Sequence, residues 1–217
     1  MSWSLNEVEG LARKAARGSG LSWGLAEEAG KSTRWLMAAG MPGAESLAGL
    51  LTQNDGLTYG ALCPVDTEDE WQAEDGGALC PLISGAVICD HAAEIAKGDG
   101  IKLKTTSFPI LLLPFAAGAA ALTGQEMEVT WAGCAVTLGP EGEIQVDDMS
   151  GLETAQATAV KIRAATGERA SAREKVTRCD IPADVVTTLG NFAHRTYAPD
   201  TPESRLAGAG AGLTDND

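Results

Sequence analysis

Aromatic residues are scarce, with Phe, Trp and Tyr together at 5% of 217 residues. The five cysteines, Cys63, Cys80, Cys89, Cys134 and Cys179, are odd in number, widely spaced and without a C-x-x-C pair. Neither a disulfide framework nor a zinc knuckle is therefore indicated. No bilayer-length apolar run occurs. The most apolar stretch, Phe108 to Leu122, falls short of the roughly 20 residues a span requires, and Pro109 and Pro114 break it. It reads as buried core. The opening Met1 to Glu7 has neither the basic nor the apolar region of a secretory signal, so a cytoplasmic protein is expected, with no membrane partner. Basic charge is also short: 16 Lys and Arg stand against 30 Asp and Glu, a net charge of −14. That balance argues against a general affinity for nucleic acid or anionic membranes.

What is present is a globular composition. Hydrophobic residues make up 44% and charged residues 21%, enough for a sizeable core in one domain or two modest ones. Glycine is abundant, at 26 residues. The acidity is uneven: no Lys or Arg lies between Arg34 and Lys97, whereas Lys161, Arg163, Arg169, Arg173, Lys175 and Arg178 form a local basic run.

The first fifty residues have a helical pattern. Ser4 and Glu7 fit a capping box, with Trp3 and Val8 at the staple positions. The helix carries Leu5, Val8, Leu11, Ala12 and Ala15 and stops at Gly18. A second helix spans about Gly24 to Ala39, with Glu27 and Lys31 placed for an i, i+4 pair. A third follows Pro42. From Asp55 to Asp75 the chain is acidic and rich in turn formers. Gly85 to Lys97 reads as a mostly buried helix. Period-two alternation marks strands at 127–131, 134–138, 144–146 and 158–164, with an apolar parity change across Gly133 and a turn at 139–142. Asp180 is placed to cap a last helix with Pro182 in its first turn. The class is α+β: an N-terminal helical hairpin packed with an antiparallel β meander, then a C-terminal helix and a Gly-rich tail. Residues 1–54 read as a helical region, 55–76 as an acidic loop or linker and 77–217 as an α+β domain, unless the whole is a single domain.

Three clusters bear chemistry. The basic run from Lys161 to Arg178 reads either as an anionic-substrate or partner surface or, as the simpler account, as Lys161 and Arg163 pairing across the sheet with Glu128, Glu143 or Gln145. Cys89-Asp90-His91 combines a thiol, a carboxylate and an imidazole, any of which can ligate a metal. Neighbours on a helix point about 100° apart, so no metal site is assigned, and His91 reads as a core histidine. The C-terminal segment is richer. His194, Arg195 and Tyr197 precede Ser204, Arg205, Gly208 and Gly210. Glycine-rich backbone can turn its N–H groups onto an anion, with Arg and Ser completing the cradle. A Rossmann reading of this glycine pattern is weak, because that fingerprint must follow a strand and open a helix.

The two ends of the chain together resemble a known family. Ser4-Leu5-Asn6-Glu7-Val8-Glu9, Ala12 to Gly18 and Trp23 to Lys31 at the start, with Arg195 to Pro199, Ser204-Arg205 and Gly208 to Asp217 at the end, are similar to an uncharacterised alphaproteobacterial family, a domain of unknown function. The resemblance implies no reaction, cofactor or site residue. The helix spacing of the opening pair is also similar to the N-terminal helices of non-Rossmann malate/lactate dehydrogenases, but this chain is much shorter and no nicotinamide site is transferred.

The resulting expectation is a protein that binds a small anionic metabolite. Arg195, Tyr197, Ser204 and Arg205 would be the anion contacts, Gly208 and Gly210 the backbone cradle, and His194 the proton-transfer group if it is an enzyme. The competing class is a non-catalytic accessory subunit or homo-oligomeric scaffold, with a second copy or an operon-encoded protein as partner. The sequence names no cofactor.

Overall fold

The computed structural model describes residues 2–67, 70–166 and 175–197. A short strand β1 (Ser2–Ser4) leads into α1 (Leu5–Gly18), α2 (Trp23–Ala38) and α3 (Gly43–Gln53). There follow α4 (Tyr59–Leu62), β2 (Pro64–Thr67), β3 (Glu70–Ala73), α5 (Pro81–Asp90), α6 (Ala92–Lys97), β4 (Ile101–Leu103) and β5 (Thr106–Ser107). A 3-10 turn, Pro109–Leu112, runs into α7 (Leu113–Thr123). The second half holds β6 (Met127–Trp131), β7 (Cys134–Leu138), β8 (Ile144–Asp148), β9 (Gln156–Ala157), β10 (Val160–Ala164), β11 (Arg178–Asp180) and α8 (Ala183–His194).

Local chemistry explains the helix ends. Ser4 accepts from the Glu7 backbone N–H while the Glu7 carboxylate accepts from the Ser4 N–H at 2.7 Å, so the capping box is complete. Ser22 caps α2 by accepting from the Leu25 N–H. Lys31 pairs with Glu28 at 2.7 Å rather than with Glu27, at i, i+3 instead of i, i+4. Pro182 itself occupies the α8 N-cap, and Asp180, expected there, is the last residue of β11. The helix expected from Gly85 to Lys97 breaks at His91, which ends α5 and opens α6.

Seven strands form the main sheet in the order β2-β3-β4-β10-β6-β7-β8, antiparallel except for the parallel β3–β4 pair. β6 to β8 make the expected meander, but β10 returns to pair with β6 on its far side. The parity change at Gly133 is a two-residue turn, since Trp131 stands opposite Cys134 and Gly133 has φ +74°. Residues 55–76 hold α4 and the hairpin β2–β3 at the sheet edge. Arg163 stands opposite Glu128 in register and bonds it at 2.6 Å on the wet face.

α6 and α7 cover the dry face, α5 packs on α7 and α2 behind them, and α1 and α2 pack on each other with α8 against α1. Ile110, Leu111, Leu112 and Leu113 are fully buried, as the apolar stretch requires. One contiguous core runs from Val8 to Phe192. Close approach sets several contacts. A Cβ on Gly18 would collide with the Phe192 carbonyl, and one on Gly85 with the Phe115 ring.

Candidate functional site

The last turn of α8 separates the residues that cluster in sequence. His194 and Tyr197 meet edge to face, with centroids 5.5 Å apart, beside a shallow depression of about 440 Å³ shared with Trp3, Glu7 and Lys14. Arg195 turns the other way. Its guanidinium grips both carboxylate oxygens of Asp55 at 2.7 and 2.9 Å and lies over the Phe192 ring at 4.5 Å. Adjacent helical positions diverge by about 100°, so proximity in sequence does not bring these two groups together. Arg195 lines a second depression, with Arg17 and Trp23. Ser204, Arg205, Gly208 and Gly210 lie outside the described residues.

Cys89, Asp90 and His91 also diverge. Cys89 Sγ lies 3.5 Å from the Phe115 carbonyl, and burial raises its thiol pKa. His91 is not a core histidine. Its side chain is about half exposed, its Nδ1 meets Glu94 at 2.6 Å and its ring stands edge-on to Trp71. The helix break explains this, because it takes His91 out of the apolar stripe of a continuous helix. Among the described residues, no group of three or more His, Cys, Asp or Glu side chains could hold a metal ion.

A different hollow, of about 610 Å³, opens where α1, α2, the start of β8 and the segment 175–177 meet. That volume is in the range of small-molecule sites, about 300–1,000 Å³. Positions 31, 34, 35 and 38 lie on one face of α2, and Leu5 and Glu9 lie one turn apart on α1. The floor is apolar: Leu5, Trp35, Ala38, Ala39, Ile144 and Val176. Trp35 is half-buried, Ile144 is buried and Val176 is 43% exposed. Lys31, Arg34 and Lys175 stand around this floor with Glu9.

Backbone and ion pairs hold the walls in place. The Val176 N–H donates to the Ala38 carbonyl at 2.9 Å, tying the 175–177 segment to the end of α2. Arg34 bridges to Glu9 at 2.9 Å across the α1–α2 seam. Lys31 donates to Glu28, and this hydrogen bond raises the lysine pKa. Lys175 has no carboxylate partner among the described residues; its ammonium lies 3.2 Å from where a Cβ on Gly142 would stand. Two of the three cations thus carry their own counter-charge. Sequence reasoning passed over this site because its cations lie up to 144 positions apart, from Lys31 to Lys175. The local signal was Lys31, Arg34 and Trp35 on one face of a helix.

Residues 3–80 match the model of a family described as a protein of unknown function, DUF3726. The expected resemblance to a domain-of-unknown-function family is borne out over that segment; the description carries neither an activity nor an organism. The matched segment contributes seven of the hollow's eleven lining residues. No curated protein and no solved structure gives a significant match.

Proposed function

We propose that the protein binds a small anionic metabolite in the hollow between α1, α2 and residues 175–177. One observation carries this reading: three cationic side chains surround an apolar floor in a chain of net charge −14. The lining of the hollow holds three cations against one carboxylate, Glu9, which favours an anion there over the acidic remainder of the surface. The C-terminal segment is a poorer location, because Asp55 already occupies the Arg195 guanidinium. The reading is one of binding in the cytoplasm, and no catalytic step is assigned to His194.

Thermal shift with a panel of acidic metabolites tests it. A ligand at 100 times its Kd raises native stability by about 2.7 kcal/mol. The stabilisation should vanish in a Lys31→Gln/Lys175→Gln double variant and persist in His194→Ala. A response that follows His194 instead would return the site to the end of α8.

The second reading, an accessory subunit or homo-oligomer, has its own observation. Trp23, Leu57 and Tyr59 are 66%, 54% and 59% exposed around the α1–α2 turn and α4, and such aromatics are favoured interface anchors. Light scattering on the Trp23→Ser variant tests it, because an oligomer built there would dissociate.

A further inference from the structure

The charges and floor of the same hollow specify its ligand more closely. This inference rests on the anion-binding reading above. We infer that the hollow takes a monocarboxylate with an apolar body of several carbons, such as a medium-chain or aryl carboxylate, rather than a phosphate, nucleotide or di- or tricarboxylate.

The charge balance comes first. Around the hollow stand Lys31, Arg34 and Lys175, but Glu28 holds Lys31 at 2.7 Å and Glu9 holds Arg34 at 2.9 Å. Of the three lining cations, Lys175 is the one with no carboxylate bonded to it among the described residues. A single carboxylate neutralises it without disturbing either pair. A phosphate dianion or a tricarboxylate would arrive with charge left over and lie against Glu9, and like charges at that range repel. Breaking the Arg34–Glu9 bridge to free a second cation would leave a carboxylate on the rim of the same hollow.

The floor comes second. Trp35, Leu5, Ile144 and Val176 present carbon, and the ring of Trp35 gives a flat wall. A purely polar anion would leave these groups wet; an apolar tail would cover them. Burying a methylene improves affinity by up to about fourfold, so affinity should climb with chain length until the hollow is filled. The site also has an orientation. Lys175 stands on the 175–177 segment, with Val176 beside it and the α2 face opposite. The carboxylate therefore meets Lys175 and Thr177 while the tail lies along Trp35 and Ala38.

Calorimetric titration of the full chain with sodium butyrate, hexanoate and octanoate tests the ligand class. Octylamine, inorganic phosphate and citrate are run beside them. Octanoate should bind, each two-carbon step should gain several-fold, and the other three should give no heat. Lys175→Gln should weaken octanoate about tenfold, and the weakening should shrink with added salt. Val176→Glu, a substitution at an exposed position, places a carboxylate beside the tail and should abolish binding with the circular dichroism unchanged. If phosphate or citrate binds through Lys175 while octanoate does not, the ligand class is wrong and the anion site stands. If no anion binds, or if binding ignores both Lys175→Gln and Val176→Glu, the site itself is wrong. Self-association that Trp35→Ala abolishes would put a second copy of the chain on this floor and overturn the inference.

Discussion

Arg195 and Asp55 stand 140 residues apart in sequence and share two hydrogen bonds, one to each carboxylate oxygen. The pair joins the end of α8 to the turn after α3. The Arg195 hydrogen bond holds the Asp55 carboxyl below its ordinary pKa of 3.8. A carboxylate with a depressed folded-state pKa contributes stability that is present above its unfolded value and lost as the pH falls through the folded one. Asp55→Asn should therefore lower Tm slightly at neutral pH, by the same amount from pH 8 to pH 5. The gap from the unsubstituted chain should close below the ordinary aspartate range. Thermal melts across that range read it directly, and a gap that widens in acid would contradict the pairing.

Gly18 makes a second, stricter contact. Any Cβ there would meet the Phe192 carbonyl, so α1 and α8 touch backbone to backbone. Gly18→Ala must push α8 outward, at a cost typical of overpacking, about 1–3 kcal/mol. Gly10→Ala, on the same helix with open space around it, should be neutral or stabilising, because alanine is the better helix former. Guanidinium denaturation of the two variants gives the comparison. Equal midpoints would mean that α8 does not lie so close.

Much of the architecture was legible where the signal is local. The Ser4–Glu7 box, the stripes of α1 to α3 and the strands β6 to β8 follow from short-range rules, and the structure has each, although burial alternates cleanly only in β6 and Thr137 of β7 is buried. What escaped depends on distant partners. β1 is three residues long and is a strand only because β11 pairs with it. The acidic stretch supplies β2 and β3 despite its turn formers, since β4 offers β3 a parallel neighbour. At the candidate site, Arg195 looked like a free cation because Asp55 is far away in sequence. Lys31, Arg34 and Lys175 looked unrelated for the same reason.

Cysteine reactivity should divide with burial. Cys80 and Cys134 are 1% and 2% exposed, and burial pushes their thiols up to about 11 and about 12. Only about one in a thousand molecules, or fewer, would carry either thiolate at pH 8. Because the thiolate is the nucleophile, a disulfide-exchange reagent should leave these two unmodified in the native protein. Cys63, Cys89 and Cys179 are half-buried and should react slowly. All five should react at once in guanidinium chloride. Fast native labelling at Cys80 or Cys134, located by peptide mass, would show that the core around them opens.

Ser4 has two duties, as the last residue of β1 and as the cap of α1, and Arg178 opposite it binds Ser2 through both its Oγ and its carbonyl. Ser4→Ala removes the side-chain cap and should cost about 1 kcal/mol, with carboxylate affinity nearly unchanged. Arg178→Ala should behave differently. It loosens β11 at the point where the chain leaves the hollow, two residues beyond Val176. The Val176 N–H, bonded to the Ala38 carbonyl, should exchange faster with solvent, because local opening costs less than global unfolding. Octanoate affinity should fall several-fold while Tm changes little. Octanoate at saturation should slow the Val176 amide again, since the ligand binds only the closed wall. An exchange rate at Val176 that ignores both Arg178→Ala and octanoate would disconnect this strand pair from the hollow.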